Sequence, residues 1–238
     1  MATLRGASLR TLHKLHLWVG VFVGIQLLLW TASGLFMASN AIEEVRGTTL
    51  RREPAAIDLR RIGPILPPGA ILPPEAVLGS PVERAELVML LDRPAYRLTS
   101  DKGSWLVDAR SGQPWVIERA DALAIADREV TLVPPLRAAP VSDPPPLELR
   151  RPGGAWMVAD ADDTHVYIGT AGEVLAVRTP LWRWFDFAWG LHILDPVGRE
   201  DTHHLFLIAS AALSLASVLT GLVLIYVRFR PRRRATQG

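Results

Sequence analysis

Six histidines carry most of the chemistry open to this sequence: His13, His16, His165, His192, His203 and His204. Imidazole ligates haem iron and other metals, and it moves protons near neutral pH. The chain has no cysteine, which excludes thiol nucleophiles, disulfides and thiolate metal sites. His165 follows Asp160, Asp162 and Asp163, an arrangement that suggests a metal loop. A calcium loop also needs Gly at its sixth position and a bidentate Glu at its twelfth, and this loop has neither. A solvated hairpin turn accounts for these residues better. There is no His-Glu-x-x-His, no Gly-x-Ser-x-Gly, no P-loop and no dinucleotide-binding glycine turn. Hydrolysis, and binding of nicotinamide or flavin, therefore lack support. The chain is not expected to be an enzyme on its own.

The elements that position the histidines follow from the charge pattern. Residues 1–42 hold Arg5, Arg10 and Lys14 and no acid, and residues 228–238 hold five arginines and no acid. All 24 acidic residues fall in 43–202 with 18 basic ones, a net of −6 against +2 for the whole chain. Two uncharged stretches separate the zones, Leu15–Ile42 and Thr202–Val227, of 28 and 26 residues. Either exceeds the roughly 20 residues that span a bilayer. A purely soluble protein is excluded, as is a polytopic channel acting alone. Nucleic-acid binding is excluded too, because the excess arginine flanks the apolar stretches while the middle is acidic.

Lys/Arg excess marks the cytoplasmic side of a span. Both termini are expected in the cytoplasm of a bacterium, with residues 43–200 in the periplasm. A cleaved signal peptide ending near Ser39-Asn40-Ala41 is the rival. Its apolar core would be about twice the usual length and would contain Gln26 and two tryptophans. The expected division is a first span in 1–42, an external domain in 43–179, an interfacial aromatic helix and turn in 180–201, and a second span with a basic tail in 202–238.

At about 100° per residue, His13, His16, Gly20, Gly24, Leu27, Thr31 and Gly34 fall within an arc of roughly 80° on the first helix. On the second, Ser210, Ser214, Ser217 and Gly221 share a face with His203. Small residues let helices approach closely in lipid, so these faces are the expected packing seams. His204 and Gln26 are expected off them. Trp182, Phe185 and Trp189 recur with His192 on one face of a helix over 180–194, suited to anchoring in the headgroup layer. Asp186 is not expected to pair with His192, and Arg199-Glu200-Asp201 is expected to stay in water.

The middle looks doubled. Ala95-Tyr-Arg-Leu-Thr, then Ser104-Trp-Leu-Val-Asp-Ala-Arg-Ser-Gly112, is followed by Ala155-Trp-Met-Val-Ala, then His165-Val-Tyr-Ile-Gly-Thr-Ala-Gly172. In both, strand-like runs end in a glycine suited to a turn with positive φ. A short helix can precede each copy, Pro74–Leu78 and Arg119–Glu129, which sets module boundaries near 64–118 and 119–179. The fold class is α+β: a two-span helical hairpin with an external domain of two modules.

The stretch from Tyr96 through Leu106-Val-Asp108-Ala-Arg-Ser-Gly112 resembles the PepSY module, whose pattern ends in an Asp and a Thr/Ser-Gly turn. His13-Lys-Leu-His16-Leu-Trp-Val-Gly20 is similar to the first helix of the PepSY-associated transmembrane proteins. Trp182 to His192, followed by Leu219-Thr-Gly221, is similar to their last. The second module departs from the pattern, with Gly169 where the first has Asp108. Many relatives also carry four spans or a fused flavin reductase domain, and this sequence carries neither. The resemblance implies an inner-membrane accessory that binds an envelope protein or ligand, in service of redox or iron handling. Some relatives are haem-bearing reductases, so a b-type haem subunit is the alternative, with His13, His16, His192 and His203 as candidate ligands. A protease-inhibitory or chaperone-like module is the third.

Geometry limits the haem alternative. In an antiparallel hairpin His13 and His16 lie roughly 30 Å from His203 across the apolar core, so one haem cannot join them. A haem at the cytoplasmic side would need a homodimer or a membrane partner, whereas His192 or Met37 could serve His203 at the other side. Topology is tested by reporter fusions. A fusion at residue 120 is expected to read periplasmic and one after Gly238 cytoplasmic, and a cytoplasmic reading at 120 overturns the arrangement.

Overall fold

Long apolar runs with no proline favour helix, and in the computed structural model, which describes residues 2–53, 62–71 and 81–230, both form one. Helix α1 covers Ala2–Ala38, and the last helix, α6, covers Leu205–Phe229. Between them lie α2 (Ile42–Val45), α3 (Pro68–Ile71), strands β1 (Arg84–Leu90), β2 (Arg93–Ser100) and β3 (Gly103–Asp108), and α4 (Arg119–Glu129). Strands β4 (Arg137–Pro140), β5 (Ala155–Ala159), β6 (His165–Gly169) and β7 (Val174–Arg178) and helix α5 (Pro180–His192) complete the order. The chain divides into two units, Met1–Asn40 with Phe185–Gly238, and Ala41–Trp184. The fold is α+β, with two long apolar helices and two small sheets. The helix expected over 74–78 lies outside the described residues.

In the helical unit, His13–Ala38 and Leu205–Phe229 are each long and apolar enough to cross a membrane. Their outward faces are apolar, with Trp18, Phe22, Leu28, Leu222 and Ile225 exposed. The shared face of α1 runs through His16, Val19, Val23, Gln26, Trp30, Ser33 and Met37, none of them exposed. On α6 it runs through Leu207, Ser210, Ser214, Ser217, Gly221 and Leu224. Both sets alternate steps of three and four, a mean of about 3.5, which is the repeat of a supercoiled pair.

The α6 seam contains the four small residues expected there. The α1 seam does not follow the expected face. Gly24 and Thr31 are exposed, and a Cβ added at Gly20 or Gly24 would meet nothing within 4 Å. Gln26, expected off the seam, is only 6% exposed. A straight 3.6-residue count drifts by about 20° per heptad from a 3.5 repeat, and starting from exposed His13 aimed it at the wrong face. Gly34 does lie at an interface, 3.5 Å from His192 Cε1 when given a Cβ.

In the other unit, β1-β2-β3 form one antiparallel sheet and β4-β5-β6-β7 the other. Alternate residues face opposite sides of a strand, and here both sides are used. Ala95 and Leu106 join α4 (Ala122, Ile125, Ala126) and Val158, Val166, Ile168 and Val177 in the main core. Tyr96, Leu98 and Val107 face a second cluster with Ile71. A capping box starts α4: the Glu118 side chain accepts from the backbone at Asp121, and Asp121 returns the bond.

The two sheets share a local construction. Ala95 pairs with Asp108, and Ala155 with Gly169. Gly112 N–H donates to Asp108 O at 2.9 Å and Gly172 N–H to Gly169 O at 3.0 Å, both glycines at φ +71°. At Gly172 space also demands glycine, since a Cβ would lie 2.6 Å from Leu90 Cδ2.

The seam geometry yields a test. Ser214→Leu puts a bulky side chain into a 7%-exposed site and is expected to lower the unfolding midpoint in detergent, by about 1–3 kcal/mol of overpacking. Gly24→Leu is expected to leave it nearly unchanged, and equal effects contradict the assignment.

Candidate functional site

The α+β unit contains an apolar groove with a cavity volume of about 830 Å³. Strand β3 supplies Trp105 and Val107, the following turn supplies Pro114, Trp115, Val116 and Ile117, and the second sheet supplies Pro140, Val141 and Trp156. Three indoles in one groove need their N–H groups accounted for. Trp156 Nε1 donates to Ile117 O at 2.9 Å, and Trp115 Nε1 to Asp121 Oδ2 at 3.3 Å. Arg93 lies 4.1 Å over the Trp115 ring. With the Trp115 and Trp156 donors spent inside the protein, those two rings turn apolar surface to the groove. Among the described residues no ionisable side chain lines it, and the lining suits an apolar group. Its size is that of a small-molecule or side-chain pocket.

A second constellation surrounds Glu148. Its Oε2 lies 2.7 Å from His165 Nδ1 and accepts Tyr167 O–H at 2.8 Å, while Oε1 accepts Arg183 Nε at 2.6 Å. Arg178 Nε donates to the Glu148 backbone carbonyl at 2.7 Å. Arg183 also reaches the carbonyl and carboxylate of Asp163. Burial alone would push the Glu148 carboxyl up, but hydrogen bonds from His165, Arg183 and Tyr167 outweigh it and hold it at about 2. The Tyr167 phenol is pushed above its usual range by burial and then by Glu148. The carboxylate is an anion fully engaged by protein donors, which suits locking β6 and α5 to the 143–149 loop.

The expected solvated hairpin turn joins β5 to β6, with Ala161, Asp162 and Asp163 exposed, and only His165 departs from the reading. Asp160 Oδ1 does organise it, accepting from Asp162 N–H and Thr164 N–H. His165, however, is a partner of Glu148 with its side chain only 19% exposed. Its register makes this legible afterwards: His165 and Tyr167 share one face of β6, and His165 lies opposite Arg178 on β7. Glu148 itself sits in a proline-rich run that gives no periodic signal.

The five histidines of the helical unit take separate places. His16 Nδ1 lies 3.0 Å from Thr220 Oγ1, and His13 is exposed nearby. His192 Nδ1 lies 3.1 Å from Ser33 Oγ, with its ring 6.2 Å from that of Trp30. The expected assignment of His203 to the α6 seam and His204 away from it is reversed. Helix α6 begins only at Leu205, so helical angles do not apply to His203, which is exposed and turns to Thr202. His204 is the N-cap: Nδ1 accepts Leu207 N–H at 3.2 Å and Nε2 lies 2.9 Å from Ile193 O.

For haem, the fit within one chain is poor. His16 and Ser33, which holds His192, are 17 positions apart on α1, about 25 Å of helix. His203 is exposed while His192 is held against α1. Among the described residues no group of three His, Asp or Glu side chains is placed to hold a metal ion.

The aromatic anchor also changes. Trp182 is covered by the Arg178 guanidinium at 4.3 Å, and Phe185 is half-buried, while Trp184, Phe187 and Trp189 are the exposed rings. Asp186 is buried and accepts from Arg199 at 2.9 Å, so Arg199 does not stay in water. A buried carboxylate needs a counter-charge, and the turn at Pro196–Arg199 brings one back. Asp108 does hold its turn, accepting Arg110 N–H, Ser111 N–H and Arg93.

Compared with protein-family models, with curated proteins and with solved structures, the chain has no match.

The Glu148 network generates a pH prediction. A carboxyl lowered in the fold stabilises it above the unfolded value, near 4.5, and that stability is lost as pH falls through about 2. The wild-type chain is expected to lose about 2–3 kcal/mol more than Glu148→Gln between pH 6 and pH 2, read by unfolding of the full-length protein. Parallel pH profiles for the two contradict it.

Proposed function

We propose that the chain is a bacterial inner-membrane accessory protein of the PepSY-associated kind. Both termini are cytoplasmic, and the α+β unit sits in the periplasm, where its tryptophan-lined groove binds an apolar segment of an envelope partner. The groove is the observation that carries this reading. It combines a volume of about 830 Å³, three indoles and, among the described residues, an apolar lining, which suits capture of an apolar segment. Two helices long and apolar enough to cross a membrane support the anchoring, and the segregation of arginine from acid supports the orientation. The paired hairpin-and-glycine turns, in which Ala95 faces Asp108 and Ala155 faces Gly169 and a positive-φ glycine closes each turn, support a domain of two PepSY-like modules. Service to a redox or iron-handling system rests on the resemblance alone.

The test uses the full-length protein in cells with a photo-crosslinking residue at Val116, which lines the groove and is 75% exposed. A discrete adduct is expected from Val116 and not from Arg84. Trp105→Ala should cut its yield about fivefold while leaving protein level unchanged, the loss of roughly 1 kcal/mol of aromatic contact. Equal adducts from both positions, or no dependence on Trp105, overturn the reading.

A further inference from the structure

The two long helices also enclose a cleft at the end where α1 begins and α6 finishes. Its volume is about 1160 Å³. His13, Lys14 and His16 line it from α1, and Arg228 and Arg230 from α6. The remaining wall is apolar, including Leu224 and Phe229. We infer that this cleft binds the phosphodiester headgroup of an anionic phospholipid, with an acyl chain along α6.

No acid occurs in residues 1–42 or after Asp201, so neither helix can neutralise Lys14, Arg228 or Arg230. The acids of this unit, Asp186, Asp195, Glu200 and Asp201, all precede α6, whereas the cleft lies at its last turns. Asp186 and Asp195 are also engaged there, by Arg199 and by the N–H groups of Gly198, Glu200 and Asp201. No acid of this unit is placed to serve as a counter-anion for the cleft, which leaves its cations open to an external one.

Geometry then selects the kind of anion. A phosphodiester offers two acceptor oxygens to guanidinium and ammonium donors, and a free phosphate offers the same chemistry. The cleft differs from a site for a soluble anion in having apolar residues beside its cations. Phe229 is 78% exposed and Leu222 57% exposed on the same helix, surface that suits a hydrocarbon chain. Gly221 makes room at the inner end, since a Cβ there would lie 3.3 Å from His16 Cε1. Thr220 holds the ring at Nδ1. Basic pockets between helix ends on the cytoplasmic side are suited to anionic headgroups.

This inference rests on the reading that both helices span a membrane, and the experiment separates the two. Full-length protein is reconstituted into vesicles of phosphatidylcholine alone, or with phosphatidylglycerol added, and lipids retained after detergent extraction are counted by native mass spectrometry. Phosphatidylglycerol is expected to be retained in preference to phosphatidylcholine, with no competition from millimolar inorganic phosphate. The pair Arg228→Gln and Arg230→Gln is expected to lower that preference by about fivefold per arginine. The pair Arg119→Gln and Arg151→Gln, exposed arginines of the α+β unit, is expected to leave it unchanged. All four side chains are exposed, and an unfolding midpoint in phosphatidylcholine verifies that each variant folds.

Equal retention of both lipids, an unaltered preference in the Arg228 and Arg230 variant, or displacement by free phosphate each overturns the lipid site while leaving the membrane reading intact. Failure to insert into either vesicle overturns the membrane reading itself, and the site with it.

Discussion

A polar group buried between apolar helices has to be satisfied from within, because an orphaned donor or acceptor in a low-dielectric interior costs several kcal/mol by rough estimate. The helical unit is organised around that constraint. Ser33 O–H bonds back to Leu29 O at 2.7 Å, Ser214 O–H to Ser210 O at 2.9 Å, and Thr220 O–H to Ala216 O at 2.9 Å. Each hydroxyl closes on its own helix one turn back, so the seam needs no partner to hide its polarity. The same serines are small, and they let α1 and α6 approach. His16 and His192 use what is left, reaching Thr220 and Ser33 across the interfaces. Gln26 and Trp30 are the exceptions among the described residues: both polar atoms of the Gln26 side chain and the Trp30 Nε1 are buried without a bond. They lie one turn apart on α1, where the helical unit breaks its own rule.

That constraint also explains what could be read in the sequence. The α6 seam is composed of serine and glycine among leucines, so composition and period agree and the face is legible. On α1 the signals conflict, because glycines lie on one face while the buried stripe is mixed: Val23, Gln26, Trp30 and Ser33. A rule that ranks faces by small residues chooses the glycines. The interface instead follows the 3.5 repeat, which a 3.6 count cannot separate over a single turn and loses over several. His203 and His204 fail for a different reason: an angular argument requires a helix, and the cap residue ends it. Only the structure fixes that boundary between two adjacent imidazoles. The outcome is that His204 closes the orphaned N–H of Leu207, a job that sequence gives more readily to Ser, Thr or Asp.

Local signals carry further in the α+β unit. Helix α4 begins and ends where apolar spacing places it, at Arg119 and Glu129. The glycine turns lie at equal offsets because a positive φ is a demand that few residues meet. The departure at Gly169 also has a physical cause. A Cβ there would lie 2.6 Å from the Glu173 carboxylate, which folds over the site. In the first sheet, Asp108 occupies the matching register and its own carboxylate gathers the turn N–H groups. The carboxylate is thus supplied by position 108 in one turn and approaches from Glu173 in the other. Glu148 is invisible by comparison, since three prolines precede it and its partners come from β6 and α5.

The unit therefore keeps its charge and its apolar surface apart. Glu148 gathers His165, Tyr167 and Arg183 into a network whose acceptors are spent on protein donors, which leaves the carboxylate a poor general base at neutral pH. A group held at about 2 has too little proton affinity to take a proton from an ordinary substrate. The groove beside Trp105 and Trp156 has the opposite character, with no titratable side chain in its lining among the described residues. Catalysis generally needs both features in one place, a perturbed acid or base and a cavity that presents a substrate to it. Among the described residues the Glu148 network and the groove lining have no member in common. What those residues bring to the groove is shape and aromatic surface.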